Sequence, residues 1–135
     1  MADSVYFEVP GDAAPQGSKR HVGGGRMVES STALKPWRER VALFAHNAMG
    51  GRPPFVGAVA IAIIVRIPNP KSDPRRAYPT KKPDLDKLER AIFDGITGVV
   101  IKDDSLIVSN HSRKISVPTD EPACVSISVF PIEER

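Results

Sequence analysis

A single α+β domain, a small mixed sheet with two main helices packed on it, is the fold class the sequence predicts, on three observations. Two stretches carry apolar residues at helical spacing, residues 36–49 and 84–97. Four others read as strands, residues 5–9, 58–67, 106–115 and 123–132. The length of 135 residues and a hydrophobic content of 41% suit one modest core, and no second domain is expected. Residues 1–135 are therefore read as one unit, with no repeat and no linker beyond a flexible basic loop at about residues 70–83.

In chain order, the strand at residues 5–9 is followed by a Pro-, Gly- and Ala-rich loop over residues 10–17. His21-Val22 and residues 26–29 flank Gly23-Gly24-Gly25, which predicts a hairpin with a flexible tip. The Lys-Ser or Lys-Thr and the helix that complete a P-loop do not follow these glycines, so no nucleotide cofactor is expected. Trp37, Val41, Phe44 and Ala48 share a stripe that excludes Arg38, Glu39 and Arg40, so the first helix should bury that stripe. Val59, Ile61, Ile63, Val65 and Ile67 alternate with Ala58, Ala60, Ala62 and Ile64, predicting a central strand buried on both faces. The last two strands are joined by a turn at Val117-Pro118-Thr119-Asp120. Cys124 is the single cysteine. It excludes an internal disulfide and, sharing a strand face with Ser126 and Ser128, reads as a structural thiol.

The second helix carries the chemistry. Leu85, Leu88, Ile92 and Ile96 define its apolar stripe, Asp84 falls at its N-cap, and Gly95 and Gly98 are expected to end it. Two carboxylates that are two residues apart diverge on a regular helix, but one on the entering loop and one in the first turn can converge. Val99-Val100-Ile101 should then lead in extended form to Asp103-Asp104, bringing a third carboxylate back to the same point. Three clustered Asp repel each other unless a cation neutralises them. Mg²⁺, with Mn²⁺ as an alternative, suits a few carboxylates plus water and phosphate oxygens, and supports phosphodiester hydrolysis. Separate structural roles compete with this reading: Asp84 as a simple cap, Asp86 paired with Arg90, and Asp103-Asp104 as turn residues.

Charge points to a polyanion. The net charge of +3 is modest, but Lys71, Arg75, Arg76, Lys81 and Lys82 fall within twelve residues that hold one acid, Asp73. Such a loop can hold DNA phosphates beside the acidic site, and Lys19 and Arg20 can add contacts from the hairpin. Tyr78, within the basic loop, can stack on or wedge between bases. His111, on the strand after the Asp pair, is a weaker candidate for touching phosphate or metal. The N-terminus lacks the order of a signal peptide, and the longest apolar run, residues 56–65, is half the length needed to cross a bilayer. A soluble, cytoplasmic protein with no membrane association is expected.

Lys82-Pro83-Asp84-Leu85-Asp86-Lys87-Leu88, Arg90-Ala91, Phe93-Asp94-Gly95-Ile96-Thr97-Gly98-Val99 and Lys102-Asp103-Asp104-Ser105-Leu106-Ile107 together resemble the RusA family of Holliday-junction resolvases. The resemblance is specific over about thirty residues and looser elsewhere, where it rests on layout and length. It implies a RusA-like homodimer, Mg²⁺-dependent, that cuts four-way DNA junctions by paired nicks in recombination and repair. It places that activity in the cytoplasm of a bacterial or phage-infected cell, on nucleoid DNA. The catalytic and metal-binding carboxylates it implies are Asp84, Asp86 and Asp104. One departure stands out: the family pattern carries a Lys where this chain has Arg90. Arginine stays protonated, so it can offset charge but cannot exchange a proton. Lys87, where many members have Asn, can share that electrostatic role. Two other readings remain open: a flap or single-strand nuclease on the same scaffold, and a protein that binds branched DNA without cutting it.

Overall fold

The computed structural model describes residues 3–16, 19–22, 26–29 and 32–133, with the backbone alone for residues 19–22 and 26–29. Among these, the elements in chain order are β1 (Val5–Pro10), β2 (Lys19–Val22), β3 (Arg26–Glu29), α1 (Leu34–Met49), β4 (Val59–Pro68), α2 (Leu85–Ile96), β5 (Ile107–Val117) and β6 (Cys124–Pro131). A short 3-10 turn, Asp104–Leu106, leads into β5. Alternation builds the main sheet: Val5, Phe7 and Val9 of β1 are buried while the residues between them are exposed. The strand order is β1-β6-β4-β5, antiparallel except for the β4–β5 pair, which is parallel. The sheet is thus mixed, with β4 internal. β2 and β3 form a separate antiparallel hairpin whose glycine tip lies outside the described residues.

Both helices pack on one face of the sheet. Trp37, Val41 and Ala45 of α1 and Leu88, Ala91, Ile92 and Ile96 of α2 join Ile61, Ile63, Val65, Val125, Ile127 and Val129 in a single core. Cutting one of these buried isoleucines to Ala would cost about 2–5 kcal/mol, because the cavity cannot fully collapse. The expectation that β4 is buried on both faces is corrected: Ala60, Ala62 and Ile64, on the side away from the helices, are only half-buried. Two helices suffice to cover one face.

Gly95 acts differently from expectation, whereas Gly98 falls just past the helix end as expected. Gly95 lies inside α2 and does not end it. A Cβ there would sit 2.9 Å from Cγ1 of Val41 and 3.2 Å from the Arg38 carbonyl oxygen, so its bareness lets α1 and α2 touch. Arg38 and Asp94 form an ion pair of 3.5 Å between the same two helices. α2 closes one residue later, where the Thr97 hydroxyl donates to the Phe93 carbonyl at 2.7 Å and Gly98 takes φ +87°. Val99, Val100 and Ile101 are not extended; their amides turn back to the Ile96 carbonyl at 3.1, 2.9 and 3.4 Å. Among the described residues, no helix is long and apolar enough to cross a membrane.

The β4–α2–β5 unit fixes where the site residues fall. Two parallel strands joined by a helix require that helix to run back against them. α2 therefore begins beside the C-terminal ends of β4 and β5 and finishes beside their N-terminal ends.

Candidate metal and nucleic-acid site

Asp84 is the N-cap of α2, with extended backbone (φ −73°, ψ 141°), and its carbonyl accepts the first helical hydrogen bond from the Leu88 amide at 3.1 Å. Its carboxylate makes no capping hydrogen bond, although that is the usual employment of an Asp at this position. Asp86 follows in the first turn, and both side chains are exposed. The expected structural partner of Asp86 is not used: among the described residues the ion pairs are Lys35–Glu39, Arg38–Asp94 and Arg76–Asp73, and Arg90 stays exposed. Two hard oxygen donors thus face solvent at the positive end of a helix, uncommitted to the fold.

The loop leading into them is tied down at several points. Asn69, buried, donates through Nδ2 to the carbonyls of Pro74 (3.1 Å) and Arg76 (3.0 Å). Arg76 Nε meets Asp73 Oδ2 at 3.0 Å, so this cation is engaged within the loop, while Lys71, Arg75, Lys81 and Lys82 remain exposed. Pro79 is buried and its neighbour Tyr78 is 73% exposed, a ring held out by an anchored backbone. At the loop's end Lys114 of β5 donates to the carbonyls of Lys81 and Pro83. The Gln16 amide donates to the Lys87 carbonyl at 2.8 Å, tacking the segment that leads to β2 onto the first turn of α2. The side chains of Lys19 and Arg20, expected to add DNA contacts, lie outside the described residues.

Asp103 and Asp104 part company. Asp103 caps the 3-10 turn, its Oδ2 accepting from the Ser105 amide at 3.0 Å. Hydrogen bonding to the Ser105 side chain, and then to its backbone, holds the Asp103 carboxyl below the ordinary range. Asp104 is exposed and takes no part in that cap, so the turn role falls to Asp103 and the free carboxylate is Asp104.

Asp104 does not fold back to Asp84. Pro83 is held at Lys114, toward the C-terminal end of β5, whereas Asp104 opens the short turn that leads into Ile107 at its start. Ile107 and Lys114 pair with Val59 and Val65, six steps apart along β4, about 20 Å at roughly 3.3 Å per residue. Ligands of one Mg²⁺ bind at about 2.1 Å, so one chain cannot place both carboxylates on the same ion. Accordingly, no group of three His, Cys, Asp or Glu that could hold a metal forms among the described residues. The expected convergence within the chain is corrected by topology: the end of α2, where the chain turns toward Asp104, is a helix length from its entrance.

His111 pairs with Ala62 and shares with Arg113 the sheet face that α2 does not cover. That position separates it from the carboxylates. Lys114 was not anticipated from sequence; the signal was its place in the β5 alternation, in step with Ser112 and Ser116 and so turned toward the helices.

A model of the protein family described as endodeoxyribonuclease RusA matches residues 9–129 of the 135. No curated protein matches the chain.

Proposed function

The chain belongs to the RusA endodeoxyribonuclease family, and from that premise we propose that it resolves four-way DNA junctions as a Mg²⁺-dependent homodimer making paired, symmetric nicks. The observation that carries this reading is the pair of exposed, uncommitted carboxylates, Asp84 and Asp86, at a helix entrance that follows a loop with four exposed cations. Carboxylate oxygens of this kind fit a hard divalent ion, which when bound would polarise a backbone phosphate and supply a metal-activated water for its hydrolysis.

Each side chain has a stated task. Asp84 and Asp86 bind the cation from the α2 entrance. Asp104 completes the set from a second copy. A two-fold axis crossing the middle of β5, near Asn110 and His111, would lay the Asp84 end of one strand alongside the Asp104 end of the other. Both copies would then be needed for either site, and the two resulting sites match the two strands that a junction presents for cutting. Arg90, permanently protonated, offsets the charge of the phosphate in flight with Lys87 beside it, and neither is asked to transfer a proton. Lys71, Arg75, Lys81 and Lys82 hold phosphates, and the protruding Tyr78 ring stacks on bases exposed at the branch point.

The test compares a labelled mobile four-way junction, a flap and a matched linear duplex, with Mg²⁺ or EDTA, for wild type and Asp86→Asn. Paired nicks confined to the junction, abolished by EDTA and by the substitution, are expected. Cutting of flaps in preference to junctions, or tight junction binding with no nick under any metal, would overturn the assignment.

A further inference from the structure

Lys114 takes no part in the proposed chemistry, yet its ammonium reaches the last residues before the acidic pair. It projects from β5 on the side facing α2, in register with the buried Val65. Its Nζ donates to the Lys81 carbonyl at 3.1 Å and to the Pro83 carbonyl at 2.9 Å. Bonds from a charged donor are shorter and roughly twice as strong as neutral ones, so two of them converging from one ammonium form a firm clamp. Pro83 is bonded directly to Asp84, whose backbone then opens α2. The orientation of the carbonyl that Lys114 holds sets where the Asp84 Cα lies and, through the first turn, where Asp86 points.

We propose that Lys114 is a positioning residue of the cation site: by fixing the carbonyls of Lys81 and Pro83 it aims Asp84 and Asp86 so that both reach one ion. The proposal rests on the reading of those two carboxylates as cation ligands. It has a distinctive sign. A lysine acting only as a nearby positive charge would repel a divalent ion, and its neutralisation would tighten cation binding. A lysine acting as a clamp does the reverse: its loss loosens the ligands and weakens binding despite the more favourable charge.

The experiment is a Mn²⁺ titration of the full chain without DNA, following free Mn²⁺ by electron paramagnetic resonance, for wild type, Lys114→Met and Lys114→Arg. Lys114→Met, similar in shape but without a donor, should raise the Mn²⁺ dissociation constant about tenfold, as expected when support behind a ligand is removed. Lys114→Arg, which keeps charged donors, should recover most of the affinity. Junction nicking at fixed Mg²⁺ should fall in the same order. Should Lys114→Met fail to unfold cooperatively, Lys114→Gln, one atom too short to bridge both carbonyls, carries the same expectation. A dissociation constant unchanged or lowered in the neutral variants, with wild type binding Mn²⁺ normally, would overturn the clamp and leave the proposed function standing. A wild-type chain that binds no Mn²⁺ would overturn both.

Discussion

Combining Asp86→Asn on one chain with Asp104→Asn on another tests whether the cation site is shared between two copies. On the shared-site reading, each substitution alone would remove a ligand from both sites of a homodimer, and both homodimers should be inert toward the junction. In the heterodimer the two substitutions meet in one site. The other site then receives Asp84 and Asp86 from the Asp104→Asn chain and Asp104 from the Asp86→Asn chain, and is intact. A heterodimer isolated with two affinity tags should therefore nick at about half the wild-type rate per dimer, one working site in two. Random mixing, in which about half of all dimers are heterodimers, should give roughly a quarter. The products should also change: one strand is cut, so nicks appear without resolution into two duplexes. The assay is denaturing electrophoresis of a junction labelled on each strand in turn, beside native electrophoresis for resolved duplex. If Asp84, Asp86 and Asp104 served one chain, every site in the heterodimer would carry one lesion and no activity would return. An isolated heterodimer that binds the junction as tightly as wild type yet makes no nick would refute the reasoning, which rests on the separation of about 20 Å along the sheet.

Replacing Lys71 or Arg75 with Ala should reduce the slope of log affinity against log salt by about 0.9 for each phosphate no longer neutralised, leaving the cut position unchanged; fluorescence anisotropy across a salt series measures it. Gly95→Ala should lower stability to denaturant, since overpacking against Val41 costs about 1–3 kcal/mol while helix propensity returns at most about 1 kcal/mol. In a Val41→Ala background the penalty should shrink without vanishing, because Cγ1 at 2.9 Å is gone while the residue-41 Cβ at 3.0 Å and the Arg38 carbonyl oxygen at 3.2 Å still crowd the added methyl. Asp103 should titrate below the ordinary carboxylate range by NMR, and Ser105→Ala should raise its midpoint. Because the folded-state value is the depressed one, the stability this carboxylate adds is present above the ordinary range and is lost as pH falls through the folded value. Ser105→Ala should therefore flatten the stability profile below about pH 4.

Much of the fold was legible because it depends on local periodicity. The alternation in β4 and the stripe of α1 are repeated signals, and each repeat places another side chain on the same face. Asp84 at the head of α2 was legible for a similar reason, since an acid just before an apolar helical pattern marks a start. Gly95 was misread because a glycine that ends a helix and one that lets a neighbouring helix approach look alike in one chain. The difference lies in Val41, more than fifty residues away. Lys114 was missed for the same cause: its partners are carbonyls, which every residue has and no sequence pattern marks.

The misplacement of Asp104 has a different origin and reaches further. Closeness in sequence led to the expectation of closeness in space, but the segment from Asp84 to Asp104 is the return leg of a connection between parallel strands. Such a leg must traverse the sheet from one end to the other, so its two ends are held apart by the same packing of Leu88, Ile92 and Ile96 that makes the helix stable. No adjustment of the loops brings the carboxylates together without undoing that core. If all three carboxylates serve one ion, the missing ligand has to come from another copy. On that reading, the separation that looks like a defect in one chain would couple catalysis to assembly, since a lone copy would lack a complete site and could not leave a junction with an unmatched cut.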